Sequence, residues 1–129
     1  MRWTMVVMTV ALTFTLLVPE VAADDKSKAK IDRSKIYYGN PSKFETPAVV
    51  NVQEVYLQIE EYKKIVDRNM DPSDPKYMML LKAASRKFRK AVRAAAEQGG
   101  YDLVGARGSI EIKGQVVPEI TQDVIANLP

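Results

Sequence analysis

The pattern of hydrophobic and polar residues divides the chain into an apolar leader, a polar segment and a body in which strand-like and helix-like spacings alternate. Residues 47–52 read PAVVNV, a short β-branched run whose leading proline is typical of the start or edge of a strand. From residue 52 onward apolar side chains recur at spacings of 3 and 4, which predicts an amphipathic helix. Residues 71–75 read DPSDP and end this helix, because two prolines so close together cannot continue it.

A second helix is predicted over residues 75–98, and Gly99-Gly100 ends it. Since both helices repeat apolar residues at alternating spacings of 3 and 4, each presents one stripe to a partner helix, as in a coiled-coil seam. Two such helices joined by a short turn form an antiparallel helical hairpin, which would be an arm over about residues 52–98. The predicted seam residues are Val55, Ile59, Tyr62 and Val66 on the first helix and Leu81, Ala84, Phe88 and Ala91 on the second.

The C-terminal region returns to strand-like patterns. Residues 101–106 and 109–113 each predict a strand, residues 115–117 predict a shorter third one, and a short amphipathic helix with Thr121 near its start ends the chain. The predicted fold class is therefore α+β: a small β body, with one strand before the protruding hairpin and two or three strands after it. The predicted body core is Val49, Val50, Leu103, Val104, Ile110 and Ile112. So small a sheet leaves open edges, and we expect the chain to self-associate.

The first 23 residues have the three-part layout of a secretory signal peptide. A positive start at Arg2 precedes the uncharged run 3–18, and small residues suited to cleavage lead up to Ala23. An uncleaved anchor is the alternative, but the apolar run is shorter than the roughly 20 residues needed to span a bilayer. Residues 24–46 are rich in Lys, Ser and Asp and are predicted to be a flexible, loosely held tether; the alternative is that the apolar island at residues 36–38, which contains Tyr37 and Tyr38, docks on the body or on a partner. Residues 47–129 would then form the folded domain.

Composition narrows the chemistry that this chain can perform. Cysteine and histidine are both absent, which excludes disulfides, thiol nucleophiles, Cys/His zinc sites and the commonest general base. The hydrophobic share of 47% and the net charge of +3 are typical of a globular protein. We therefore expect a protein that is not an enzyme and that uses no cofactor or metal.

The second predicted helix is strongly basic, with no acidic residue between Asp74 and Glu97. This charge favours anionic partners, such as acidic unfolded proteins, anionic lipid or lipopolysaccharide head groups; nucleic acid is not expected, because the chain is predicted to be exported. The alternative is a solvated face that pairs with glutamates of the first helix. Methionines near the hairpin turn suit adaptable binding, or else fill gaps between the helices. The predicted client-binding residues are Met70, Tyr77, Met78, Met79, Lys82, Arg86, Lys87, Arg89, Lys90 and Arg93.

Both ends of the predicted body resemble Skp/OmpH-like periplasmic chaperones. Residues 48–55, AVVNVQEV, are similar to the start of the mature chain in that family, where a short strand runs directly into the first arm helix. Residues 101–104, YDLV, resemble the strand after the arm, and residues 119–125, EITQDVI, resemble the closing motif. The resemblance implies a periplasmic homotrimer with a β-rich body and helical arms that hold unfolded outer-membrane proteins without ATP. The arms predicted here are much shorter than is usual in that family.

Two functions follow as expectations. The first is an exported, ATP-independent holdase or adaptor that binds unfolded envelope or outer-membrane proteins. The second is a trimeric structural scaffold of the cell envelope that binds one fixed partner. The range of partners distinguishes them, because a holdase binds many unrelated unfolded chains and a scaffold binds one.

Overall fold

The computed structural model describes residues 29–129, which form an α+β fold of five strands and four α-helices. The predicted signal peptide, residues 1–23, and the first part of the predicted tether, residues 24–28, lie outside the described residues. Within residues 29–129 no helix has both the length and the apolar character needed to cross a membrane.

A three-stranded sheet brings the two ends of the described chain together. Its order is β2 (Ile36–Gly39), β4 (Leu103–Ala106), β3 (Pro47–Val50). The central strand β4 is antiparallel to β2 and parallel to β3, and the parallel register pairs Val49 with Gly105. Parallel strands require a crossover connection, and all the helices between β3 and β4 belong to it. β1 (Ala29–Ile31) and β5 (Ile110–Ile112) form a separate antiparallel pair.

The six predicted body-core residues are all buried. Side chains alternate between the two faces of a strand, so neighbouring residues enter different clusters. Val50 and Val104 pack on the side of the long helix, whereas Val49 and Leu103 pack on the opposite side with Ile110 and Ile112 of β5.

The long helix α3 (Pro75–Gly99) agrees closely with the prediction of a helix over 75–98. The Asp74 side chain accepts a hydrogen bond from the backbone N–H of Lys76 at its start, and Gly100, at a φ of 72°, ends it in the left-handed region. Of the predicted seam, Ala84, Phe88 and Ala91 are buried and Leu81 is half-buried. The helix packs against β2 of the sheet, and the short C-terminal helix α4 (Thr121–Ala126) packs against it in turn.

The first predicted helix is broken into two. α1 (Val52–Tyr56) ends in a turn, Ile59 is extended, and α2 (Glu60–Asp67) begins after it. Val55 and Ile59 are buried and Tyr62 is half-buried, as the seam predicts. The break changes the helical phase, so that Ile65 is buried and Val66 is 50% exposed. The prediction of Val66 as a seam residue is therefore wrong.

The prediction of a flexible tether is also wrong from Ala29 onward. β1 and β2 lie in this segment, and Ala29 pairs with Ile112 while Tyr38 pairs with Val104. Further along the segment, Phe44 is buried against the cluster that contains Leu103. The polar composition is compatible with strands because both are edge strands with a few apolar side chains turned to the core.

The predicted third C-terminal strand at residues 115–117 does not form. Within the described chain the only strand-like pairing of this segment is an isolated bridge between Ile112 and Gln115, although Val117 packs against the cluster that contains Leu103. Val116 is 96% exposed, so its side chain has no core against which to pack. The edge of β3 is instead covered by the next segment, where the backbone N–H of Val49 donates to the Pro118 carbonyl over 2.9 Å.

Candidate functional site

Apolar side chains are exposed at the end of the helix pair where α2 stops and α3 begins. Met79 is 71% exposed, Met78 is 47% exposed and Val66 is 50% exposed. The buried residues of α3 begin only at Ala84, so its N-terminal turns extend beyond the core. We call this region the methionine tip; it comprises Val66, Met70, Tyr77, Met78 and Met79, of which Met70 and Tyr77 are half-buried.

Five cations of α3 share its solvent side and form what we call the basic face. At about 100° per residue they fall within an arc of about 100° that lies opposite Phe88. All five are exposed, and among the described residues none of them takes part in a salt bridge. The positive charge of this face is therefore not neutralised by neighbouring carboxylates of the described chain. Its members are Lys82, Arg86, Arg89, Lys90 and Arg93.

Lys87 does not belong to the basic face, although it was predicted with it. Its Nζ atom lies 2.6 Å from Oε1 of Glu61 and so joins α3 to α2. The hydrogen bond from Lys87 holds the pKa of Glu61 below its ordinary value, with a further Coulombic contribution from the same ammonium group. Lys87 therefore fits the alternative expected from the sequence, in which a basic residue of the second predicted helix pairs with a glutamate of the first. The contact joins two helices of the fold.

A β-bulge places two adjacent tyrosines on the same side of the sheet. Ile36 pairs with Gly105 and Tyr38 pairs with Val104, so β2 has one extra residue, Tyr37, between the two pairs. In a regular strand Tyr37 and Tyr38 would point to opposite faces, but both pack against the cluster on the α3 side. The Tyr37 ring meets the ring of Phe88 edge-on, with 5.0 Å between the centroids.

Between the bulged strand and α3 lies an open groove of about 420 Å³, which we call the bulge groove. Burial raises the pKa of Tyr37, with Tyr56 adding to the rise and Arg89 opposing it, so the phenol stays protonated at neutral pH and can donate a hydrogen bond. No carboxylate is among the lining residues of the described chain. A groove of hydroxyl, guanidinium and ammonium donors suits a ligand that is negatively charged and accepts hydrogen bonds. The lining residues are Tyr37, Tyr38, Gly39, Arg89, Lys90 and Arg93.

The predicted client-binding residues thus separate into three places. Met70, Tyr77, Met78 and Met79 are in the methionine tip, the five cations are on the basic face, and Lys87 pairs with α2. Sequence reasoning missed the bulge groove, because Tyr37 and Tyr38 were assigned to the tether. The isolated apolar island at residues 36–38 in a polar segment was the signal that these residues contact something.

No protein-family model, no curated protein and no solved structure matches this chain. Its function is therefore inferred from its own residues and their geometry.

Proposed function

We propose that this protein is an exported, ATP-independent holdase or adaptor that binds unfolded envelope or outer-membrane proteins, acting as a homotrimer of the Skp/OmpH-like kind with short arms. The observation that carries this proposal is the methionine tip. Val66, Met78 and Met79 are exposed on helices whose inner parts are anchored in the core. Apolar side chains displayed in this way are positioned to meet apolar side chains of another chain.

Methionine is suited to partners of varied shape. Its side chain is unbranched, flexible and polarizable, so that it repacks against different apolar surfaces at little cost. Met79 lies nine residues before Phe88, which places it opposite the buried stripe and in line with the basic face. An unfolded protein with apolar and acidic stretches would therefore find both kinds of contact along one side of α3.

The size of the fold supports self-association. β1 and β5 form a separate two-stranded pair, which no third strand of the described chain extends. Small sheets with open edges gain stability when they are covered by another subunit. The proposal predicts a trimer in sedimentation equilibrium, and a monomer at micromolar concentration would contradict that part of it.

Holding activity is tested by diluting a urea-unfolded outer-membrane β-barrel protein into buffer and following its aggregation by light scattering. The full chain, at one trimer per unfolded protein and without ATP, should suppress the scattering. Met78→Ser/Met79→Ser should lose most of this effect, because it removes the exposed apolar contacts. Val116→Ser is the matched control, since Val116 is 96% exposed in a loop outside the methionine tip.

Equal suppression by the Met78→Ser/Met79→Ser and Val116→Ser variants would contradict capture at the methionine tip. Failure of the wild-type chain to suppress aggregation of any of several unrelated unfolded proteins would contradict holding altogether.

The second candidate is a scaffold that binds one fixed envelope partner. The bulge groove favours it, because a concave site lined by donors from two elements suits one defined partner. Recovery of a single stoichiometric partner, together with no effect on unfolded proteins, would favour the scaffold over the holdase.

A further inference from the structure

We propose that the bulge groove is a docking site for an extended acidic segment of a partner polypeptide. This inference deepens the proposed function and rests on it, because it takes the partner to be a protein and names the chemistry of the part that is bound. It concerns a site separate from the methionine tip and formed by different side chains.

The charge of the groove defines the chemistry of its occupant. Arg89, Lys90 and Arg93 line one wall, and among the described residues none of them is in a salt bridge. Tyr37 and Tyr38 line the other wall, where the bulge directs both side chains toward α3. Carboxylates accept hydrogen bonds from guanidinium, ammonium and phenol groups alike, so side chains of Asp and Glu fit both walls.

The length of the charged surface favours a chain over a single small anion. The basic face runs from Lys82 to Arg93, which at 1.5 Å per residue is about 16 Å along α3. An extended polypeptide covers that distance with about five residues, at about 3.3 Å each. One phosphate group would contact only a fraction of this length.

The shape of the site favours a polypeptide over a membrane surface. The cations at one end of the basic face are part of a concave groove of about 420 Å³, which a segment can enter and a planar bilayer cannot. One wall of the groove is β2, which is one of the two edge strands of its sheet. An edge strand offers unpaired backbone N–H and C=O groups to a neighbouring chain. A polypeptide can pair with both kinds of group along the strand, whereas a lipid head group has no such repeating backbone.

The test uses fluorescence anisotropy to measure how tightly the full chain binds a fluorescein-labelled peptide of alternating Glu and Ser. A labelled peptide of alternating Gln and Ser is the uncharged probe. Arg89→Gln/Lys90→Gln/Arg93→Gln should weaken binding of the acidic peptide by about tenfold or more, since it removes three charge contacts. The matched control, Lys43→Gln/Lys63→Gln/Lys113→Gln, removes the same charge from exposed positions outside the groove and should bind within about twofold of the wild type.

Three results would overturn the proposal. The first is equal weakening by both triple variants, which would mean that only net charge matters. The second is binding of the chain to vesicles of anionic phospholipid with no binding of the acidic peptide, which would assign the basic face to a membrane. The third is binding of the uncharged Gln/Ser peptide as tight as that of the acidic peptide, which would mean that the groove does not select an acidic segment. Loss of aggregation suppression in the Met78→Ser/Met79→Ser variant with unchanged peptide binding would leave this inference intact, so the two tests fail independently.

Discussion

Phe88 is the residue whose replacement tests the arrangement of the body most sharply. Its side chain is 1% exposed and lies where α3, β2 and α1 meet. The ring of Tyr37 packs edge-on against it at 5.0 Å between centroids, and the ring of Tyr56 is tilted against it at the same separation. Phe88→Ala would therefore remove a ring that contacts two other elements.

The cost of this change follows from burial. Replacing a fully buried phenylalanine by alanine removes about 3–5 kcal/mol from the free energy of unfolding, through lost apolar transfer and the cavity that remains. A domain of this size is stabilised by about 5–15 kcal/mol in total, so the loss is a large share. Phe88→Leu keeps most of the volume and should cost about 1 kcal/mol.

Urea denaturation followed by far-UV circular dichroism measures both losses. A double-mutant cycle of Phe88→Ala with Tyr37→Ala should give a coupling energy of about 1 kcal/mol or more, because the two rings are in contact. A loss below about 1 kcal/mol for Phe88→Ala, or additive effects in the cycle, would refute the reasoning. The additive result in particular would place residues 36–39 away from the body.

Three further changes test other contacts. Gly105→Ala should lower the free energy of unfolding by about 1–3 kcal/mol, because a Cβ at this buried strand position would collide with neighbouring side chains; an unchanged thermal midpoint would contradict this. Lys87→Met should lower the free energy of unfolding by up to about 1 kcal/mol near neutral pH. Since the pKa of Glu61 is lowered from 4.5, the difference in free energy of unfolding between the wild type and Lys87→Met should be fully present above pH 4.5. It should vanish as the pH falls through the folded-state pKa of Glu61, and a difference that does not depend on pH would contradict the ion pair. Asp102→Ala should cost about 2 kcal/mol and speed hydrogen exchange of the amides of residues 45–46, whose N–H groups donate to the Asp102 carboxylate; unchanged exchange would contradict the contact.

Periodicity together with end signals predicted the long helix, and a β-branched run after a proline predicted the strand before the crossover. α3 has strong signals at both ends, Asp74 before the first turn and Gly100 after the last, and its apolar spacing of 3 and 4 is uninterrupted. The break at Ile59 has no such signal, because neither Gly nor Pro lies between residues 53 and 70. The break is a tertiary effect: both Val55 and Ile59 are buried, and the change of phase after Ile59 buries Ile65.

The strands of the predicted tether were missed for a related reason. β1 and β2 are only three and four residues long, and each pairs with a strand more than 60 residues away. The composition of a short segment does not indicate which distant strand it pairs with. Lysines are common on edge strands, so the polar character of this segment did not exclude strands. The bulge at Tyr37, and with it the bulge groove, depends on the register against Val104 and Gly105, which cannot be seen within residues 29–46 alone.

Site-specific photo-crosslinking tests the central functional claim most directly. A benzophenone amino acid is incorporated at position 79, in the methionine tip, or at position 116, which is also highly exposed but lies in a distant part of the sequence. Each full-length protein is mixed with a urea-unfolded outer-membrane β-barrel protein on dilution and then irradiated. Capture of unfolded chains at the methionine tip predicts strong crosslinks from position 79 and few from position 116. Equal crosslinking from both positions, or none from position 79, would contradict it.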